Sequence, residues 1–277
     1  MSAEEALRRI GALKANAIDP VEGALWLAKW AEPTLNLGAY RRHLDTLASD
    51  ARAYLADDQD DDAMAVEAAR QILARRYGYG GAATSAGRLI EANIAHTIDR
   101  RQGGAMILAL LYRYVFEALD RDVEIIDFAP RTLIRVHMNG ARALLDPFAG
   151  GRLVGARDLR RLLKEHHGED GALTPNQLTT LNPRQILLAL QHEAKVFHLL
   201  HAAPEAALMA VEASLLIAPN EAYLWREMAL LHERLDHLLD ATRALERFLQ
   251  LPGSGAHRYT ASQMLQNLQR RLHGDDT

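Results

Sequence analysis

The 277-residue sequence contains no cysteine. Disulfides, thiolate-ligated zinc, iron–sulfur clusters and a thiol nucleophile are therefore all excluded. Aromatic residues are scarce, at 6%. Neither sign of charge dominates, with 36 acidic against 32 basic residues. Surfaces that meet nucleic acid or anionic lipid are usually basic, so neither partner is expected. Long hydrophobic runs are missing too. The longest, Ala105 to Leu119, is interrupted by Arg113 and Glu117 and is shorter than the ~20 residues a membrane span needs. The opening Met1-Ser2-Ala3-Glu4-Glu5 has neither the basic nor the apolar region of a signal peptide. A cytoplasmic protein without membrane contact is expected.

What is present reads as mostly helix. Apolar residues make up 49% and charged residues 25%, an ordinary globular balance. Residues 3–31 carry two helices, the second opened by Asp19-Pro20 as N-cap and first helical residue. Leu37 to Leu55 follows with Leu44, Leu47 and Ala51 at helical spacing. The acidic run Asp57–Asp62 contains no glycine, which a calcium loop requires. It reads as a solvated loop whose last aspartate caps a helix over 63–76. Arg75-Arg76-Tyr77-Gly78 ends that helix. Gly78–Gly81 lacks the spacing of a phosphate loop. Another helix is expected over 89–101.

Gly103-Gly104 then opens a helix over 105–119 that is apolar around most of its circumference, and so central. The period next switches to two. Strands are expected over 123–128, 132–138 and 142–148, with Asn139-Gly140 as a tight hairpin turn. A short basic helix covers 157–166. The best linker candidates are 168–174 and 180–183, giving a division into residues 1–180 and 181–277. The second part is all helical. Ala207, Val211 and Leu215 recur as Ala241, Leu245 and Leu249, 34 residues on, the period of a tetratricopeptide helix pair.

Several stretches together resemble the SirB-type bacterial family, which has a transglutaminase-like core and a tetratricopeptide-like tail. They are Tyr40-Arg41-Arg42-His43-Leu44-Asp45, Asn93 through Arg101-Gln102-Gly103, Leu108-Ala109-Leu110-Leu111-Tyr112, Leu145-Asp146-Pro147-Phe148-Ala149-Gly150-Gly151, and the terminal helix pairs. The resemblance implies an α+β, mostly α fold. Its papain-like core would hold a three-stranded antiparallel sheet, followed by a tetratricopeptide-like pair. It also implies a site: a nucleophile at the start of the buried helix, a histidine on the second strand and an aspartate on the third. On this sequence those places fall on Ile107, Arg131 and Asp146. Isoleucine cannot attack a carbonyl, and a guanidinium that never loses its proton cannot act as general base. No transglutaminase, protease or acyltransferase activity is expected, and no cofactor.

Two readings of Arg131 and Asp146 stay open. They tie the second strand to the third, a guanidinium fork being suited to a bidentate carboxylate contact. Alternatively Arg131, with Arg135, receives an anion or a peptide carboxylate. A hydrolase or acyltransferase with a non-standard site near His137 and Asp146 is the enzymatic alternative, since strand alternation puts His137 on the face of Arg131. In the tail, Tyr223, Trp225, Arg226 and His232 are candidates for a peptide-binding groove. Trp26, Trp30 and Trp225 also fit as packing anchors. His192, His198, His201, His232 and His237 form no H-E-x-x-H motif, and no metal is expected. The expected function is a protein-interaction scaffold with a protein or peptide partner. Self-association through the tail is the other partner reading.

Overall fold

The computed structural model describes residues 1–55, 61–82, 92–128, 131–138, 141–167 and 178–273. Asp57–Asp60, the start of the helix expected from residue 89, Asn139-Gly140 and the proposed linker 168–174 lie outside them. The chain divides into two compact units. One is Ala15–Leu190; the other is Met1–Lys14 with Gln191–Thr277.

The larger unit begins with helices α2 (Pro20–Ala31), α3 (Leu37–Leu55) and α4 (Asp62–Arg70). Asp19 caps α2 by accepting from Val21 and Glu22, and Asp61 caps α4 by accepting from Ala63 and Met64. The acidic run thus ends in a cap, as its position before an apolar helix requires. The helix expected over 63–76 changes character at residue 71, continuing as a π-helical turn over Gln71–Arg76. Two short strands, β1 (Gly80–Gly81) and β2 (Gln102–Gly103), pair in parallel and flank α5 (Ile94–Arg100). Asn93 caps α5 through its side chain.

Next comes α6 (Ala105–Ala118), buried at Met106 through Tyr112 and again at Val115 and Phe116. It packs on β3 (Val123–Phe128) and β4 (Arg131–Met138) of an antiparallel sheet ordered β3-β4-β5-β6. The three strands read from the sequence are present. β5 (Ala141–Asp146) ends before the expected residue 148, because Asp146 accepts from the Ala149 amide and turns the chain into a 3₁₀ helix over Pro147–Ala149. A fourth strand, β6 (Arg152–Leu153), pairs Asp146 with Arg152. Helix α7 (Ala156–His167) places Leu159, Leu162 and Leu163 on Ile126, Phe128 and Leu133, which face away from α6. Thr180 bridges to Ile126 and covers part of the β3 edge.

Helices α8 (Pro183–Leu200), α9 (Pro204–Ile217), α10 (Ala222–Arg234), α11 (Leu238–Gln250) and α12 (Arg258–His273) complete the chain. The start of α11 follows that of α9 by the period read from the sequence. Ala229, Ala241, Ala244, Leu245, Phe248 and Leu268 form the core of the tail. No helix among the described residues is long and apolar enough to cross a membrane.

The sequence division assigns the first residues to the core, whereas the structure groups α1 (Ala3–Ala12) with the tail. Gly11 is the reason. A β-carbon there would lie 2.3 Å from the Leu216 carbonyl oxygen at the end of α9. Backbone cannot yield as a flexible side chain does, so Gly11→Ala should cost about 1–3 kcal/mol. A Gly255→Ala control, where no atom lies within 4 Å, should change little. Urea unfolding of the two variants against wild type measures the difference.

Candidate functional site

Ile107 occupies the first turn of α6 and is completely buried. The side chain at the place the resemblance gives to a nucleophile is therefore a core residue, and Met106, Leu108 and Leu111 beside it in the helix are buried as well.

Arg131 opens β4 and Asp146 closes β5. The register places Phe128 opposite Arg131 on one side and Leu145 opposite Ile134 on the other. The structure brings Arg131 and Asp146 together, but not as a fork on a carboxylate. Arg131 Nε stands 3.9 Å from Asp146 Oδ2, beyond hydrogen-bond reach. The guanidinium instead lies over the Phe148 ring, 4.3 Å from its centroid, a cation–π contact. Phe148 in turn fills the space over Gly81, where a β-carbon would come within 2.4 Å of the ring. Asp146 is 3% exposed, and its Oδ1 accepts from the Ala149 amide at 3.2 Å. Tyr112 from α6 is buried, and its hydroxyl has no hydrogen-bond partner among the described residues. Burial pushes its phenol well above the ordinary value, against the pull of Arg70.

Arg135 and His137 share the face of Arg131 by alternation, and both meet Glu124. Arg135 Nη1 donates to Glu124 Oε2 at 2.7 Å, and Nη2 donates to the Leu178 carbonyl at 3.2 Å. His137 Nε2 lies 3.1 Å from the same Glu124 oxygen. Burial raises the Glu124 carboxyl, but Arg135 and His137 outweigh it and hold the group below its ordinary value. His137 pairs with Arg142 in the register. It therefore stands four residues along the strand from Leu133, the position opposite Asp146. At ~3.3 Å per residue that is about 13 Å. The structure does not bring His137 to Asp146.

A second polar cluster carries no assigned role in the sequence reading, although two of its members lie in the stretches that carry the resemblance. His43 Nε2 is 2.8 Å from the Tyr79 hydroxyl and 2.7 Å from Arg101 Nη1, which also donates to Tyr79. Arg101 holds a left-handed backbone at φ 60°. Its guanidinium lies 5.0 Å from the Tyr79 ring centroid and 5.9 Å from that of Tyr77. Burial, then the Arg101 charge, pushes the His43 imidazole below its ordinary value. Burial pushes Tyr79 up to about 12. The cluster joins α3, the segment before β1 and the residue that leads into β2. The only sequence signal for it is the presence of His43 and Arg101 in the matched stretches, because residues 43, 79 and 101 have no common spacing.

In the tail, Tyr223 is about half exposed on α10, and Arg226 is half-buried three residues on. Trp225 packs against the tail core and donates its indole N–H to the Pro219 carbonyl at 2.8 Å. Both contacts fit the packing role. His232 is buried, at 7% exposure. Glu227 pairs with Lys195 across α10 and α8 at 2.5 Å. Among the described residues no group of three or more His, Asp or Glu side chains is arranged to hold a metal ion.

The Asp146 geometry separates two contributions. Asp146→Ala removes the acceptor for the Ala149 amide and should cost about 1 kcal/mol. Asp146→Asn keeps an acceptor and loses only the attraction to Arg131 across 3.9 Å, so it should remain closer to wild type. Denaturation midpoints of both variants check this; equal losses would make the charge contact dominant.

Comparison with known proteins assigns the two parts. The transglutaminase-like superfamily matches residues 38–191, and a tetratricopeptide repeat matches 195–266. The UPF0162 protein PA3419 of Pseudomonas aeruginosa is 30% identical over 249 residues, covering 89% of this chain and 90% of its own. A UPF0162 protein of Xylella fastidiosa (strain Temecula1) is 24% identical over 234 residues, 82% of each chain. A crystal structure of menin has 10% identity and a TM-score of 0.34 over 94% of this chain and 72% of its own, which is too distant to describe the fold. With this extent of match, the chain belongs to the transglutaminase-like superfamily and carries tetratricopeptide repeats behind its core, as a relative of the UPF0162 proteins.

Proposed function

We propose that the protein is a non-catalytic, cytoplasmic interaction scaffold whose transglutaminase-like core has lost its chemistry and whose helical tail binds a protein or peptide. The observation that supports this reading is the sealed position of Ile107 at the head of α6. A nucleophile must reach a substrate carbonyl at contact distance. Here that place holds a hydrocarbon side chain with no exposure to solvent. Arg131, matched to the general base by the resemblance, stays protonated at any working pH. The tetratricopeptide helices are a kind of module that presents a groove to a peptide or helix. Tyr223 and Arg226, three residues apart on α10, are the groove candidates still available for binding.

A second reading has one observation in its favour. Arg131 Nε is buried without a hydrogen-bond partner among the described residues, and such a donor suits a carboxylate or other oxyanion.

The test is affinity capture followed by mass spectrometry with point variants. Removing residues 184–277 would strip Ile186 and Leu187 from a core in which Leu187 packs on Gly23. Tyr223→Ala combined with Arg226→Ala should abolish capture of the wild-type partner set, while Arg131→Ala should leave it unchanged. The opposite pattern would move binding to the Arg131 cleft.

A further inference from the structure

The turn between α10 and α11 holds two histidines against each other. His237 N–H donates to the His232 carbonyl at 2.9 Å, and Asp236 N–H donates to the Glu233 carbonyl at 3.0 Å. Asp236 has a left-handed backbone at φ 58°. This is the Schellman helix ending, in which the side chains three residues before the cap and two after it come into contact. Those two places are His232 and His237. Their Nδ1 atoms face one another at 3.4 Å. That separation is long for an N–H···N hydrogen bond. It equals the span of two imidazole nitrogens on one tetrahedral ion, about 3.4 Å for metal–nitrogen bonds of ~2.1 Å.

We propose that His232 and His237 form a binding site for a divalent zinc-like cation, bound through both Nδ1 atoms and pinning α10 to α11. Backbone hydrogen bonds set the spacing, so the ligands are arranged before the ion arrives. His232 is buried while His237 is exposed, which gives one fixed ligand and one at the entry side. Burial favours the neutral form of His232, the form that carries a free lone pair. Asp240, in the first turn of α11, adds negative charge nearby, partly offset by Arg243, which donates to its Oδ1 at 3.2 Å. Glu233 and Asp236 face Arg271. Two protein ligands leave two positions to water or to a donor from a partner, so the site is open. The preceding repeat provides an internal comparison. There the same ending carries His198 and Ala203, with Ala203 N–H donating to the His198 carbonyl at 2.9 Å. Only the second corner pairs histidine with histidine.

The test titrates tag-free full-length protein with zinc chloride by calorimetry at neutral pH, with thermal unfolding in parallel. Wild type should bind one equivalent and melt higher with zinc, by the amount that binding to the folded state alone implies. His237→Gln, on the exposed side, should fold normally and lose affinity by more than about tenfold, the usual penalty even for outer-shell changes. His232→Gln should lose it likewise, while His198→Gln should bind as wild type does. Cobalt in place of zinc should give the visible absorption of a tetrahedral ion in wild type and not in His237→Gln. Absence of zinc binding in wild type, or the same binding and melting shift in His237→Gln, would overturn the proposal and leave the contact as an imidazole–imidazole hydrogen bond.

Discussion

The Ala15–Leu190 unit depends on the burial of one helix. From Met106 to Tyr112 every residue of α6 is withdrawn from water, and a fully buried Leu, Ile or Phe contributes about 1.5–3 kcal/mol. No face of α6 is left for solvent over that stretch. Helices α2, α3 and α4 pack on it, as do β3, β4 and the turn that carries Phe148. The sheet is short and ends at one edge in a two-residue fourth strand, and its other face is covered by α7. A protein arranged around such a helix has one constraint above others: whatever stands in its first turns must fit the core.

Ile107 fits that constraint. Where the family resemblance sets a reactive hydroxyl, a branched hydrocarbon fills the space, and cutting it back to alanine would cost about 2–5 kcal/mol. The neighbouring polar positions also make packing and turn contacts. Arg131 stands over the Phe148 ring instead of forking onto Asp146, and Asp146 accepts from the Ala149 amide. On the proposed reading, the shape of the core and the chemistry of the site are separate: the buried helix and sheet stand as a packed core, and the positions matched to the site make packing contacts.

Much of this was legible in the sequence because it rests on strong periodic signals. The all-round apolar pattern of 105–119 marked α6, the change to a period of two marked β3, β4 and β5, and the 34-residue recurrence marked the tail. Contacts made by single residues were not legible. β1 and β2 are two residues each and exist only because α5 returns the chain beside Gly80. The membership of α1 in the tail unit follows from one glycine against one carbonyl. Arg131 carries a charge that suggests an ion pair, yet its guanidinium also stands over the ring of Phe148 from the 3₁₀ turn after β5, a contact that no spacing in the sequence marks. His232 and His237 are five residues apart in the sequence, but their contact depends on the left-handed backbone of Asp236, which an aspartate in sequence does not announce.

The central claim is that the transglutaminase-like core performs no acyl transfer, and intact-mass spectrometry tests it most directly. The full-length protein is incubated with a fluorophosphonate probe and, separately, with an activated thioester as acyl donor. The account predicts an unchanged mass in both, because Ile107 offers no nucleophile and Arg131 no base. A stoichiometric adduct that maps to a residue of the Ala15–Leu190 unit and disappears on denaturation before labelling would contradict it.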